Sequence, residues 1–327
     1  MEQTSFQFTV TAQIGASGNN MTTSSASRVT PKVELDFTTA SLDSRITFAR
    51  TTSATNPATF VNSSGVTSAA TNNAPRFDYN PITLVCRGLL IEQSRANVCL
   101  QSSNFATSWN ASGSATIGVD AINSPDGTQN ADKLIEFTNT GQHFVIQAIA
   151  VSSATSYTVS IYAKKGERES IALRLIGTST YAQAYFNLLA GTVTPSTGTA
   201  SIVAMPNGWY RCIITGTSDS TTTNIYVNIG QTATSTSISS YTGDGVSGVY
   251  IWGAQLEAGA FVTSYIPTTT TSLTRNADVA TITGTNFSNW WQAGLGGATV
   301  TALPSTVNGT RPLLQFDDGT ANEIIAL

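Results

Sequence analysis

Stretches in which apolar and polar residues alternate recur along this chain, whereas the spacing typical of helices is almost absent. In the clearest stretch, Tyr157, Val159 and Ile161 alternate with other residues, and residues 171–175 and 225–229 repeat the pattern. Because successive side chains of a strand point to opposite faces, this spacing predicts β-strands with one buried face.

Turn sequences separate these strands, and no helix is predicted between them. Residues 125–127, Pro-Asp-Gly, and 243–245, Gly-Asp-Gly, are strong turn signals. Many strands joined without helical crossovers favour two packed antiparallel sheets. We therefore predict an all-β chain built around a jelly-roll β-sandwich at residues 101–268.

Three segments flank the predicted sandwich. Residues 1–34 include a small, polar stretch that cannot bury enough apolar area to order itself, so they are expected to form an extended N-terminal arm. Alternation near the start of this arm predicts a strand that could add to the sheet edge of a neighbouring subunit. Residues 35–100 form a predicted strand-and-turn segment that lies on another part of the molecule. Residues 269–327 form a short C-terminal β segment that must pair with other strands.

The chain carries few charges. Only 10% of its 327 residues are charged and the formal net charge is −4, against about 25% charged residues in an average soluble protein. No cluster of Lys and Arg is present, which argues against nucleic-acid binding. Without a signal peptide or a run of ~18 apolar residues, the chain is expected to be made in the cytoplasm without membrane insertion. An uncharged polar surface suits work outside the cell.

The cysteines do not suggest a metal site. Cys86, Cys99 and Cys212 lack the paired spacing of zinc ligands, and three thiols cannot all pair within one chain. They are expected to be small buried side chains in strands, as in a protein assembled in a reducing compartment.

Candidate catalytic residues are few. His143 is the only histidine, and its surroundings do not resemble a nucleophile elbow or a metal-binding pair. Glycoside cleavage needs two carboxylates roughly 5–10 Å apart. The candidates, for which structural roles are expected, are Asp126, Asp132, Glu136, Asp244 and Glu257. We therefore predict no catalytic residue, no metal ligand and no cofactor.

Aromatic side chains are the candidates for sugar binding, because a flat ring can stack on the apolar side of a pyranose. Trp109, Tyr181 and Tyr185 stand among polar neighbours, which favours surface positions and makes them the predicted glycan-binding residues. Trp209 and Trp252 lie inside apolar strand motifs and are expected in the core.

Several motifs resemble a known family. They lie at residues 35–37, 44–50, 75–79, 88–97, 124–127, 131–134, 157–164, 207–211, 241–248 and 250–268. Together they resemble tailed-phage fibre and adsorption proteins over about residues 35–320. In that family a unit like a carbohydrate-binding-module jelly roll is usually followed by a laminin-G or concanavalin-like sandwich, and here only the start of such a second sandwich is recognised.

The resemblance implies a phage virion structural protein, a fibre or adsorption subunit, that is not an enzyme. Its N-terminal arm would attach to other virion proteins, the jelly roll would contact a host-surface glycan weakly, and the subunits would form a homotrimer. A structural calcium ion is compatible with the family, although no loop has the dense aspartates of a dedicated site. Two alternatives stay open: an architectural capsid decoration or connector without a ligand, and a polysaccharide depolymerase.

Overall fold

The structure is a computed structural model that describes residues 5–9, 33–51, 58–111, 113–291, 299–303, 315–317 and 324–326, with side chains between residues 33 and 291. Most of the predicted N-terminal arm falls on residues 10–32, which lie outside the described residues. Its role in attachment to a virion stays a prediction.

The described chain is nearly all β, as predicted, with helix limited to single turns. The strands before the sandwich are β1 (Ser5–Thr9), β2 (Thr47–Ala49), β3 (Ala58–Val61), β4 (Thr67–Ala70), β5 (Phe77–Tyr79), β6 (Cys86–Leu89) and β7 (Arg95–Asn97). One 3-10 turn, Phe37–Thr39, precedes β2, and its first N–H groups are capped by the Asp36 carboxylate.

The next strands build the sandwich. They are β8 (Ala115–Asn123), β9 (Gln129–Glu136), β10 (Thr140–Gly141), β11 (Phe144–Ala150), β12 (Ser156–Lys165), β13 (Ser170–Ile176), β14 (Thr180–Asn187), β15 (Thr192–Thr197), β16 (Thr199–Ala204), β17 (Trp209–Thr217), β18 (Thr222–Gly230), β19 (Tyr241–Thr242) and β20 (Gly248–Ala258). A second 3-10 turn, Pro206–Gly208, joins β16 to β17.

The last described elements are short. They are β21 (Leu273–Arg275), β22 (Val279–Thr281), the one-turn helix α1 (Thr285–Ser288), β23 (Thr299–Leu303), β24 (Gln315–Asp317) and β25 (Ile324–Ala326). No helix in the described ranges is long and apolar enough to cross a membrane.

Two antiparallel sheets face each other and form the predicted jelly-roll β-sandwich. The five-stranded sheet has the order β11-β18-β13-β14-β15, and the six-stranded sheet has the order β16-β17-β12-β20-β9-β8. The core between them contains the residues that the alternation predicted, among them Val159, Leu173 and Val227. Burial of these apolar side chains supplies most of the stabilisation of such a fold.

The outer face of the six-stranded sheet is covered by part of residues 33–51 and 58–97 together with the chain that follows β20. A second apolar cluster lies in this layer and contains Val61, Tyr162, Trp209, Trp252 and Tyr265. Both tryptophans are 2% exposed, which confirms the core positions expected for them. We call residues 33–51 and 58–97 the cover segment.

The strand β20 serves both clusters. Leu256 lies in the sandwich core, whereas Trp252 points the other way and packs 4.5 Å from Tyr265, centroid to centroid. Both side chains are buried, although they lie in different apolar clusters. A β-bulge at Gly253, with φ of +64°, changes the side on which the next residues lie.

Strands from the two ends of the chain pair with each other. β1 pairs with β23 and touches β6, β2 pairs with β22, and β7 pairs with β21. We call the pairs β1–β23, β2–β22 and β7–β21 the terminal clasp. The sequence allowed this early strand to add to the sheet of a neighbouring subunit; in the structure β1 pairs with β23 of its own chain.

A buried ion network holds the cover segment to the chain after the sandwich. Arg76 forms ion pairs with Glu92, with an N–O distance of 2.8 Å, and with Asp278 Oδ2. Arg50 forms an ion pair with the other oxygen of Asp278, Oδ1, at 2.9 Å. Burial raises the pKa of Glu92, but the charges of Arg275 and Arg76 outweigh burial and bring this pKa to about 2. The Glu92 carboxylate is therefore ionised at neutral pH.

Candidate functional site

One sheet surface of the sandwich remains accessible in the described structure. It is the outer face of the five-stranded sheet, since the cover segment lies on the outer face of the six-stranded one. Most side chains that point outward here are partly or fully exposed. We call this surface the open face and define it by Phe144, Ile146, Ala148, Ala172, Arg174, Gln183, Tyr185, Asn224, Tyr226 and Asn228.

Strand register arranges these side chains in rows across the sheet. The first row runs through Phe144, Asn228, Ala172 and Tyr185. The second row runs through Ile146, Tyr226, Arg174 and Gln183. In the first row the small Ala172 stands between two larger side chains, so the surface is lower there than on either side.

Aromatic rings and a guanidinium meet in the middle of the open face. The rings of Phe144 and Tyr226 lie 5.2 Å apart at 57°, and the Arg174 guanidinium carbon lies 4.9 Å from the centre of the Tyr226 ring. On the other side of Arg174, the Gln183 amide donates a hydrogen bond to the Tyr185 hydroxyl. Burial lowers the pKa of Arg174, yet a guanidinium stays protonated at physiological pH.

Asn228 carries an unusual amide. Its side chain is 2% exposed, and neither its nitrogen nor its oxygen has a hydrogen-bond partner in the structure. A buried amide without partners costs about 1–3 kcal/mol, so most such groups are satisfied.

Trp109 is not on the surface, contrary to expectation. It is 7% exposed, packs 4.9 Å from the Phe105 ring, and donates its indole N–H to the carbonyls of Leu100 and Gln101. The segment before β8 folds back over the end of the sandwich and carries the indole into the core. Its polar sequence neighbours remain outside, and they were the reason for the wrong placement.

Tyr181 is also buried, at 8% exposure, and its hydroxyl donates to Thr223 Oγ1 at 2.6 Å. In the pairing of β13 with β14, Ala182 lies opposite Leu175 and Thr180 lies opposite Ile176. Tyr181 therefore has no partner on β13 and forms a bulge. This bulge turns its ring inward beside Ala182. The expected surface position was therefore wrong for Tyr181.

Tyr185 is the one predicted glycan-binding residue that lies on the open face. Its partners there, Phe144, Arg174, Tyr226 and Asn228, were not singled out from the sequence. The signal was available, because residues at even positions between the predicted core residues 225, 227 and 229 must point away from the core.

His143 lies directly before β11 and is buried. Its Nδ1 lies 2.6 Å from the carbonyl oxygen of Ser114, and its Nε2 lies 3.2 Å from that of Tyr241. The imidazole therefore ties together three segments at one end of the sandwich, which agrees with a structural role.

Glu136 lies beside this histidine and has several partners. Its carboxylate accepts hydrogen bonds from Arg168 Nε at 2.7 Å and from the Tyr241 hydroxyl at 2.8 Å. Burial raises the pKa of Glu136, but the hydrogen bonds from Arg168 and Tyr241 outweigh burial and lower it. This carboxylate is held ionised by the fold.

The other candidate carboxylates also hold local structure. Asp132 accepts hydrogen bonds from the backbone N–H groups of Phe105 and Asp120, and Glu257 accepts from Thr263. Asp126 and Asp244 bind the backbone of their own turns. Each therefore has a structural task, and no cluster of three or more metal-ligating side chains occurs between residues 33 and 291 where side chains are described.

No protein-family model matches the chain, and no curated protein matches it. Among solved structures it is similar to a CBM4 module, with 13% identity, 49% of this chain and 94% of that chain covered, and a TM-score of 0.29. A CBM61 module in complex with beta-1,4-galactotriose is 13% identical, with 50% of this chain and 99% of that chain covered and a TM-score of 0.30. The enzymatically active domain of tailspike protein 4 of bacteriophage CBA120 is 12% identical, with 49% of this chain and 21% of that chain covered and a TM-score of 0.31. The function proposed below is derived from the open face and not from these distant likenesses.

Proposed function

We propose that this protein is a glycan-binding virion protein of a tailed phage, a fibre or adsorption subunit whose open face contacts host-surface sugars. The observation that carries the glycan-binding part is the open face itself. It combines partly exposed aromatic rings with an amide and a guanidinium on neighbouring strands of one sheet.

The chemistry of this face suits an oligosaccharide. The rings of Phe144, Tyr226 and Tyr185 offer apolar surfaces on which pyranose rings stack. The partly exposed amide of Gln183 offers a donor and an acceptor for sugar hydroxyls. Strands lie about 4.8 Å apart, so the face spans roughly 14 Å from β11 to β14. This length fits several linked sugars better than a single one.

The virion role is supported by the sequence. The resemblance to tailed-phage fibre and adsorption proteins covers about residues 35–320, and the weakly charged polar composition suits a protein exposed outside the cell. Residues 1–34 would attach the subunit to other virion proteins. A homotrimer would present several open faces together, so that weak contacts add up to strong attachment.

Glycan binding is tested with an array of bacterial surface glycans and with Tyr226→Ala and Tyr185→Ala. Each variant should weaken binding about tenfold or more, equal to about 1.4 kcal/mol, because a stacking surface is lost. Tyr250→Ala removes an equal ring from the opposite sheet and should leave the affinity unchanged. Binding to no glycan, or equal binding by all variants, would refute the proposal. Imaging of whole particles tests the virion role through the position and symmetry of the subunit.

We propose binding without turnover. The five carboxylates considered for glycoside cleavage each have structural partners, so none is free to act as an acid or nucleophile without disturbing the fold. Incubation with each bound polysaccharide should release no reducing ends. Release that disappears in a carboxylate variant would instead establish a depolymerase.

A further inference from the structure

Arg174 is the only charged residue in the five strands of the five-stranded sheet. It points outward, because its neighbours Leu173 and Leu175 lie in the core. Its strand, β13, is the middle strand of the sheet, with β18 on one side and β14 on the other. A chain with a formal net charge of −4 therefore carries one positive charge at the centre of its open face.

This guanidinium has no counter-ion among the residues that the structure describes. Its Nε is buried without an acceptor, and its electrostatic neighbours are the phenol groups of Tyr226 and Tyr185. Other arginines of the chain differ: Arg50 pairs with Asp278, and Arg168 pairs with Glu136. Arg211 also lacks an ion pair within the described residues, but its guanidinium donates to Ser160 Oγ inside the fold. Arg174 differs because its buried Nε has no acceptor and its side chain faces outward, where an anion from outside the chain could pair with it.

We infer that the open face selects acidic glycans, with the Arg174 guanidinium receiving the carboxylate of a uronic-acid sugar. This inference rests on the glycan-binding function proposed above and names its substrate class. A carboxylate accepts two parallel N–H bonds from a guanidinium, and such charge-assisted pairs are stronger than hydrogen bonds between neutral groups. Contact with the Tyr226 ring restricts the Arg174 side chain and reduces the entropy lost when the pair forms.

The neighbouring groups fit the remainder of such a sugar. Tyr226 stands opposite Arg174 on β18, and Gln183 stands opposite it on β14. Tyr185 lies in the neighbouring row, opposite Ala172. A neutral sugar stacked here would cover the guanidinium without neutralising it. Because covering an unpaired charge is costly, the face favours acidic over neutral sugars of the same shape.

The test compares sugars that differ only in charge. Oligosaccharides of polygalacturonate, alginate and hyaluronan are each used beside their carboxyl-reduced forms, in which every carboxylate has become a primary alcohol. Affinities are measured by calorimetry for the full chain and for Arg174→Gln. Lys165→Gln is the matched control, since it removes the same charge from an exposed position whose ion-pair partner is Glu169. Melting temperatures verify that each variant is folded.

We expect at least one acidic oligosaccharide to bind about tenfold or more tightly than its reduced form. Arg174→Gln should abolish this preference, and Lys165→Gln should retain it. If acidic and reduced forms bind equally, or if Arg174→Gln keeps the preference, the inference is wrong while glycan binding stands. If neither these sugars nor any glycan of the array binds, the proposed function fails with it.

Discussion

Gly253 allows one strand to serve two apolar clusters. Its φ of +64° lies in the left-handed region, and a Cβ atom at this position would stand 2.8 Å from the Tyr162 ring. Both the backbone and the space therefore require glycine. The bulge keeps Ile251 and Ala254 in the sandwich core while Trp252 faces the cover segment.

Gly253→Ala should lower the free energy of unfolding by about 2–4 kcal/mol, the sum of a left-handed alanine and an overpacked contact. Gly113→Ala is the matched control, because Gly113 has a φ of +70° but nothing within 4 Å of its Cβ position. It should cost only about 1 kcal/mol. Denaturant titration measures both, and equal losses would mean that the contact with Tyr162 is unimportant.

At the scale of elements, the cover segment cannot be held by its strands alone. Its strands β2 to β7 have three or four residues each, so they form few ladder hydrogen bonds. The ion network supplies what the short strands lack, because Asp278 joins Arg50 and Arg76 from different parts of this segment. Charged groups thus lie at a depth where most proteins place apolar side chains.

Asp278→Asn should destabilise the protein by on the order of 3–5 kcal/mol, because it leaves two buried guanidinium groups short of negative charge. Asp43→Asn breaks the partly exposed ion pair with Arg45, whose atoms lie 2.6 Å apart. This control should cost less than about 1 kcal/mol. Thermal and denaturant unfolding give the comparison, and similar losses for both variants would contradict a role of burial.

The sequence predicted the sandwich strands well, because their apolar alternation follows directly from one buried face. It failed where the alternation breaks or the backbone leaves the sheet. Tyr181 follows a bulge that depends on the pairing with β13, and Trp109 lies in a loop whose path depends on the finished sandwich. Neither feature is encoded by nearby residues.

The open face was missed for a different reason. Tyr226 and Arg174 alternate with core residues that the sequence already indicated, so their outward direction could be derived. What the sequence could not provide is the neighbour relation across strands, which places Arg174 beside Tyr226 and Gln183. Such a site consists of residues from separate strands and exists only once the register is fixed.

On the scale of the whole molecule, the two sheets differ in cover. The six-stranded sheet is buried on both faces along β12 and much of β20, whereas the five-stranded sheet keeps its open face. We expect amide hydrogen exchange, followed by mass spectrometry, to be slowest in β12 and β20 and faster in β11 and β18. Equal or slower exchange in β11 and β18 would show that burial of the outer sheet face does not control local stability.

The terminal clasp also determines how the molecule responds to force. In each of two clasp pairs the residues nearest the chain ends are partners: Thr47 with Thr281, and Arg95 with Arg275. A pull on both ends therefore opens these pairs like a zipper, one hydrogen-bonded pair at a time, before any tension enters the sandwich between them. Under load we therefore expect the chain to lengthen first by opening the terminal clasp. The sheet that carries the open face would stay folded.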